Sequence, residues 1–240
     1  VVLPFITTDM VVTSDATIQR IGTTDPLTHF FRALDDSVGT QRSFTAFGHA
    51  SGPGDLTVRL KQTIKKAPRN GMALGVDLRL PTGDEKNLLG TGAPGVQPFA
   101  VWSAAFGAVS PHVNVGYQWN GSSILAGDPG TGISEDLPDV GTYSVGAAIE
   151  IHPRVTAAVD ILGRYVIDSP RLQRTDFHAL NGTSVFPNIT FTSGSFNELS
   201  AAAGLKINTF GRFLVTANLL VKLNDVGLRD KVSPLVGIEY

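Results

Sequence analysis

The chain has 240 residues and no cysteine, which excludes disulfide staples, thiolate metal sites and thiol nucleophiles. Its 19 basic and 21 acidic side chains nearly cancel, at −2, which is not the footprint of a nucleic-acid binder. Only 17% of residues are charged, yet no run approaches the ~18 consecutive apolar residues of a membrane helix.

Val1 to Thr8 reads as a weak strand. No basic segment and apolar run precede it, so the expectation is that any export signal has been removed or was never part of this chain. Residues 9 to 53 read as a long polar loop carrying the one helix signal of the chain, over 26 to 36. Asp25 can cap it, Pro26 suits its first turn and Gly39 lies shortly beyond its end. Leu27, Phe30, Phe31 and Leu34 form an i, i+3, i+4, i+7 stripe. Such a helix either folds into a pore mouth as a constriction, bringing His29 and Arg32 near the path, or rests on an outer rim.

From residue 54 onward the dominant signal is strict alternation. Leu56, Val58, Leu60 and Ile64 oppose Asp55, Arg59, Lys61 and Lys65; Met72, Leu74, Val76, Leu78 and Leu80 oppose Ala73, Gly75, Asp77 and Arg79. The same period runs through 96–106, 112–119, 141–151, 155–167, 198–207, 213–223 and 232–240. A period of two places alternate side chains on opposite faces of a strand. No apolar face of these nine segments carries Asp, Glu, Lys or Arg, while the opposite faces hold seven cations and six acids. Short turns near 67–70, 108–111, 152–154 and 208–211 alternate with long loops at 81–95, 120–140, 168–197 and 224–231, as in an antiparallel meander trimmed at one end.

A soluble β-sandwich would also keep charge off its buried faces. Three features favour a membrane barrel instead. The segments run 8 to 13 residues, whereas globular strands average ~5 to 6 and tilted spanning strands need ~9 to 11. The polar faces interleave charges with small residues such as Gly75, Gly116, Gly146 and Gly204, as a confined interior requires. Aromatic residues, including Trp102, Trp119, Tyr143, Tyr165 and Phe213, sit near the ends of the apolar faces, where lipid–water girdles form. In lipid, strands span only as closed barrels, because every backbone group must pair within the protein. The expected fold is therefore all-β: an antiparallel up-and-down transmembrane β-barrel of ten strands, or twelve with one further N-terminal hairpin, forming one domain over 1–240. The last segment alternates to Tyr240, with Gly237 three residues before it. That matches the terminal signal of outer-membrane barrels read by the assembly machinery, with about two further residues expected to complete it.

Two stretches, Leu78-Arg-Leu-Pro-Thr-Gly-Asp-Glu-Lys-Asn-Leu-Leu-Gly-Thr-Gly92 and Pro111-His-Val-Asn-Val-Gly-Tyr-Gln-Trp-Asn-Gly121, resemble the outer-membrane β-barrel family of transporters of the meta-pathway of phenol degradation. The resemblance is closest over about 54 to 121 and implies a bacterial outer-membrane barrel admitting small organic, often aromatic, solutes. Fold carries over from such a likeness better than substrate does.

The inward face offers Arg59, Lys61, Asp77, Arg79, His112, Asn114, Gln118, Asp160, Arg164, Glu198, Lys206 and Lys222 as lumen-lining candidates. They read either as a mixed-charge path for passive passage of small solutes or as internal pairs sealing a structural or assembly barrel. Seven cations against six acids argue against strong ion selectivity. A lipid-modifying enzyme is the third reading, but His112 sits at a turn end with no serine obviously presented to it, so no catalytic role is expected. Asp84, Glu85 and Asn87 lack the calcium-loop spacing and read as turn chemistry; no metal or cofactor is expected. The partners expected are outer-membrane lipid and lipopolysaccharide, the assembly machinery through the last strand, and a small organic solute. The sequence leaves the oligomeric state open.

Overall fold

The computed structural model describes residues 1–20, 25, 27–179, 182–210, 213–227 and 229–239. Every strand pairing among them is antiparallel, and the 3-10 turn Glu85–Asn87 is the only helical element described. The N-terminal region contains β1 (Phe5–Thr17), β2 (Phe31–Arg32), β3 (Val38–Gly39) and β4 (Gln41–Pro53). β1 pairs along its length with β4, and β2 with β3. Next come β5 (Leu56–Ala67), β6 (Asn70–Leu80), β7 (Gly95–Ala104) and β8 (Val109–Asn120). A small hairpin of β9 (Ser122–Asp128) and β10 (Ile133–Asp136) precedes β11 (Val140–His152). The chain ends with β12 (Val155–His178), β13 (Val185–Phe210), β14 (Phe213–Lys222) and β15 (Val232–Glu239).

Nine of these fifteen strands form one sheet in the order β15-β14-β13-β12-β11-β8-β7-β6-β5. Each alternating segment of the sequence supplies one of them, and sequence neighbours pair throughout, as a meander requires. β5 and β15 are its edges among the described residues, and the pairings do not close on themselves. Bulges fall between Thr63 and Lys65, Glu150 and His152, and Asn208 and Phe210, all near the short turns; one more separates Val166 from Ser169. Past that last bulge, ten further pairs, Ser169↔Gly194 to His178↔Val185, carry the β12–β13 hairpin onward. At ~3.4 Å per residue it projects about 34 Å beyond the bulge.

Several expectations need correction: fifteen strands, not ten, are described, and the expected loop over 168–197 is largely the extended β12–β13 hairpin. Residues 9 to 53 are not one loop, because β1 and β4, thirteen residues each, lie within or across them. Nor is there a helix over 26–36; Pro26 itself lies outside the described residues. Asp25 does accept the Leu27 N–H (2.9 Å) and the Thr28 hydroxyl (3.0 Å), so its capping chemistry is present but closes a turn. His29 then takes a left-handed backbone (φ 55°), which a helix cannot continue through, and Phe31 and Arg32 enter β2. A short helix needs a surface to receive its apolar stripe. Here Leu34 stands fully exposed, and Phe31 instead meets Phe44 of β4 edge-on at 5.8 Å.

Burial runs opposite to that of a soluble domain. Seven apolar side chains are buried among the described residues, and four are alanines (Ala73, Ala93, Ala104, Ala179). The outward positions Leu60, Val115, Trp119, Val145 and Val236 are more than half exposed, while the inward Asp77 and Glu198 are only 8% and 7% exposed. A sandwich would bury the apolar face against a second sheet. This sheet turns its polar face inward, where its acids Asp77 and Glu198 are buried, and leaves the apolar one outside.

Candidate functional site

The inner face encloses a cavity of about 610 Å³ lined from β5 through β14. Those strands are seven spacings apart in the sheet, roughly 34 Å if the sheet were flat, whereas a space of that volume is roughly 10 Å across. The sheet is therefore strongly curled around its polar side.

Cross-strand register fixes the chemistry of this interior. Arg59 lies directly opposite Asp77 and grips both its oxygens, Nε at 2.7 Å and Nη2 at 2.6 Å. Arg164 lies opposite Glu198, at 3.1 Å. Where an inward residue is glycine, side chains reach across an intervening strand. Gly116 leaves room for Gln97 of β7 to donate to the Thr142 hydroxyl of β11 at 2.8 Å. Gly146 likewise lets His112 of β8 meet Asp160 of β12, 2.6 Å apart. A Cβ at Gly146 would collide with the Asp160 carboxylate, and one at Gly75 with the Phe99 ring. The glycines of the polar face are thus the gaps through which its network is wired.

The long-loop end holds a second cluster. Asp55 accepts hydrogen bonds from the Gly83 N–H (3.0 Å), the Thr91 N–H (2.8 Å) and the Thr91 hydroxyl (2.6 Å), with Arg79 3.8 Å away. Burial pushes the Asp55 carboxyl upward, but these donors and the Arg79 charge outweigh it and hold it below the usual carboxylate value. Arg79 also donates to Asn120 at 2.7 Å, and Asn120 accepts from Gln118 at 2.9 Å. Asp55 therefore ties loop 81–94 to the rim. Within that loop Asp84 accepts from the Lys86 and Asn87 N–H groups, the turn chemistry expected of it.

Of the lumen candidates, Arg59, Lys61, Asp77, Asn114, Arg164 and Glu198 meet in the cavity. Asn114 donates there to Ser144 at 2.8 Å. His112 and Asp160 pair outside its lining, and Arg79 and Gln118 belong to the rim cluster. Lys206 pairs with Glu239 at 3.2 Å and Lys222 with Asp225 at 2.8 Å, both away from the cavity. The residues expected to constrict the mouth, Leu27, His29, Phe30, Phe31, Arg32 and Leu34, are not brought there as a helix. Their segment is held by Arg20 on the Thr28 carbonyl (2.8 Å), by Arg32 on Asp36 (3.3 Å) and by Arg42 on the Arg32 carbonyl (3.2 Å).

Several lining residues escape the charge pattern of the sequence. Phe99 and Val101 are apolar residues on the polar face of β7; the parity of the strand locates them once apolar side chains are allowed inside. Arg229 comes from loop 224–231, where no periodicity exists to mark it. It folds inward onto the Ser200 hydroxyl (2.8 Å) and the Leu199 carbonyl (3.2 Å), and the backbone at Gly227 presses against Glu198.

An antiparallel meander with its polar face enclosed and its apolar face outward defines an inside-out sheet protein. The chain belongs to the family described as "Putative MetA-pathway of phenol degradation", whose model matches residues 2–160. The match runs from the segment before β1 into β12 and takes in Arg59, Asp77, His112 and Asp160, while Arg164, Glu198 and Arg229 lie beyond it. No curated protein matches the chain.

Proposed function

We propose that the nine-stranded sheet is the wall of a closed β-barrel in the bacterial outer membrane, and that the barrel passes small organic solutes, aromatic ones among them, without energy input. The observation that carries this reading is the inverted burial: an exposed apolar exterior around a cavity of about 610 Å³ that holds the charged side chains. Apolar side chains left outside a sheet are stable against acyl chains and costly against water.

Strand parity supports closure. An odd number of antiparallel strands leaves both edges, β5 and β15, running the same way, so they cannot pair antiparallel with each other. One more strand running the other way completes an even barrel. Val2 already occupies that position, bridged antiparallel to Thr57 by N–H···O bonds of 2.8 and 2.9 Å. On this reading the N-terminal segment supplies the tenth strand of the barrel wall. The long loops then face outward and the short turns the periplasm. In this arrangement lipid and lipopolysaccharide contact the apolar face, and β15, an edge strand, is the segment offered to the assembly machinery.

The family description, which concerns phenol degradation, fits aromatic solutes. A sealed structural barrel is the second reading, favoured by the dense pairing around His112–Asp160 and by Arg229 folded inward. Neither reading assigns the chain a catalytic step. Reconstitution of the full chain in liposomes separates them. Solute-driven swelling well above protein-free vesicles is expected for a channel, and a barrel that neither swells vesicles nor affects solute uptake when deleted is sealed. Lipid-hydrolysis activity of the same preparation would overturn both.

A further inference from the structure

Six charged side chains line the cavity: Arg59, Lys61, Asp77, Arg164, Glu198 and Arg229. Two ion pairs cancel four of them, Arg59–Asp77 at 2.6 Å and Arg164–Glu198 at 3.1 Å. Arg229 spends its donors on neutral acceptors: the carbonyls of Val226, Leu199 and Asn224, the Ser200 hydroxyl and the Asn224 amide oxygen. It adds charge to the cavity but offers no free N–H. Its acidic loop neighbour Asp225 is engaged by Lys222 at 2.8 Å.

Lys61 differs. It stands opposite Gly75 on the inner face, is exposed to the cavity, and makes no ion pair or hydrogen bond recorded among the described residues. An ammonium carries three donors, so this one is available to a ligand. Beside it the wall is apolar: Phe99 lies over Gly75, and Val101 and Leu220 face the same space. The remaining charge is thus two positive, one of them unspent, next to an apolar surface.

From this we infer that the cavity is a binding site for small aryl carboxylates, the carboxylate on the Lys61 ammonium and the ring against Phe99, Val101 and Leu220. A volume of about 610 Å³ is ample for one such molecule. The whole-face balance of seven cations to six acids hides this bias, because the other charged residues of that face lie outside the cavity lining. The inference deepens the transport reading and rests on it for its biological purpose, but not for its test.

The test uses the refolded full chain in detergent, titrated calorimetrically with benzoate and, separately, with neutral benzamide. Saturable benzoate binding, much weaker benzamide binding, and a loss of about tenfold or more in affinity for Lys61→Gln are expected. Lys61→Arg should retain binding, and Lys65→Gln, at the far end of β5 beyond the bulge, should leave it unchanged. Equal binding of the two compounds, unchanged affinity in Lys61→Gln, or no saturable benzoate binding would overturn the inference. Conductance in planar bilayers is measured on the same material. A conducting chain without benzoate preference overturns only this inference, and benzoate binding without conductance overturns only the transport reading.

Discussion

The nine-stranded sheet and the β1–β4 hairpin are built from the same antiparallel ladder, yet only the first carries a two-residue code. In the sheet, one face is predominantly apolar, with Gln62 and, past the bulge, Lys65 as exceptions on β5, and the other is wired by Arg59–Asp77, Arg164–Glu198 and His112–Asp160. In the hairpin, polar pairs such as Thr7–Ser51 (3.0 Å) and Asp9–His49 (2.6 Å) share a face with Val11 and Phe47, all of them exposed. Alternation records a difference between the media on the two sides of a sheet, not strand formation itself. Where both sides meet the same solvent, nothing selects for it.

Placing the same substitution in both regions tests that contrast. The largest effect is expected for Leu74→Arg, on the outer face of β6, against Val11→Arg in β1. Arginine near the middle of a lipid-facing strand costs about 2–4 kcal/mol, whereas an exposed change in the hairpin stays within about 0.5 kcal/mol. Urea unfolding in lipid vesicles, followed by tryptophan fluorescence, measures both; equal costs would mean that the outer face of β6 meets water. Next come Gly75→Ala and Gly48→Ala. The first drives a methyl group into the Phe99 ring and the Leu60 carbonyl, an overpacking of about 1–3 kcal/mol, while the second meets nothing within 4 Å and should be near neutral.

Smaller again is the contrast of Arg164→Ala with His49→Ala. Loss of Arg164 strands Glu198, 7% exposed. Because the arginine itself is 58% exposed, the cost falls to about 1–2 kcal/mol rather than the ~3–5 of a fully buried pair. The exposed Asp9–His49 pair should give less than about 0.5 kcal/mol. The most local effect is that of pH at Asp55. Its carboxyl titrates below the unfolded value of about 3.9, so its contribution is complete above that pH and is lost as pH falls through the lower folded value. Amide exchange at Thr91 and Gly83 should accelerate in that acidic window while the Asp9–Gly48 region of the hairpin is little changed, and Asp55→Asn should remove the transition.

Sequence reading found the nine sheet strands because each has one face free of charge, from Leu56 in β5 to Ile238 in β15. It caught only the start of β1, within the weak strand Val1 to Thr8, and missed the rest of β1 and all of β4, because neither carries a face of one polarity. It also mistook Leu27, Phe30, Phe31 and Leu34 for a helical stripe, since spacing alone does not reveal that His29 adopts a left-handed backbone or that Phe44 receives Phe31. Five charged residues of the cavity, Arg59, Lys61, Asp77, Arg164 and Glu198, were legible as inward positions. Their partners were not, because pairing depends on register. Arg229 was invisible, being a loop residue whose position is set by Ser200, Leu199 and Asn224.

What the sequence determined by itself was the strand content, the parity of each strand and the polarity of its two faces, all of which follow from a period of two along a single strand. Only the tertiary structure decided which charges cancel, that the glycines at 116 and 146 let side chains cross a strand, and that Lys61 is left over beside an apolar wall. Those facts depend on register and curvature between strands distant in the chain, and no local pattern encodes the distance between two side chains that fold brings together.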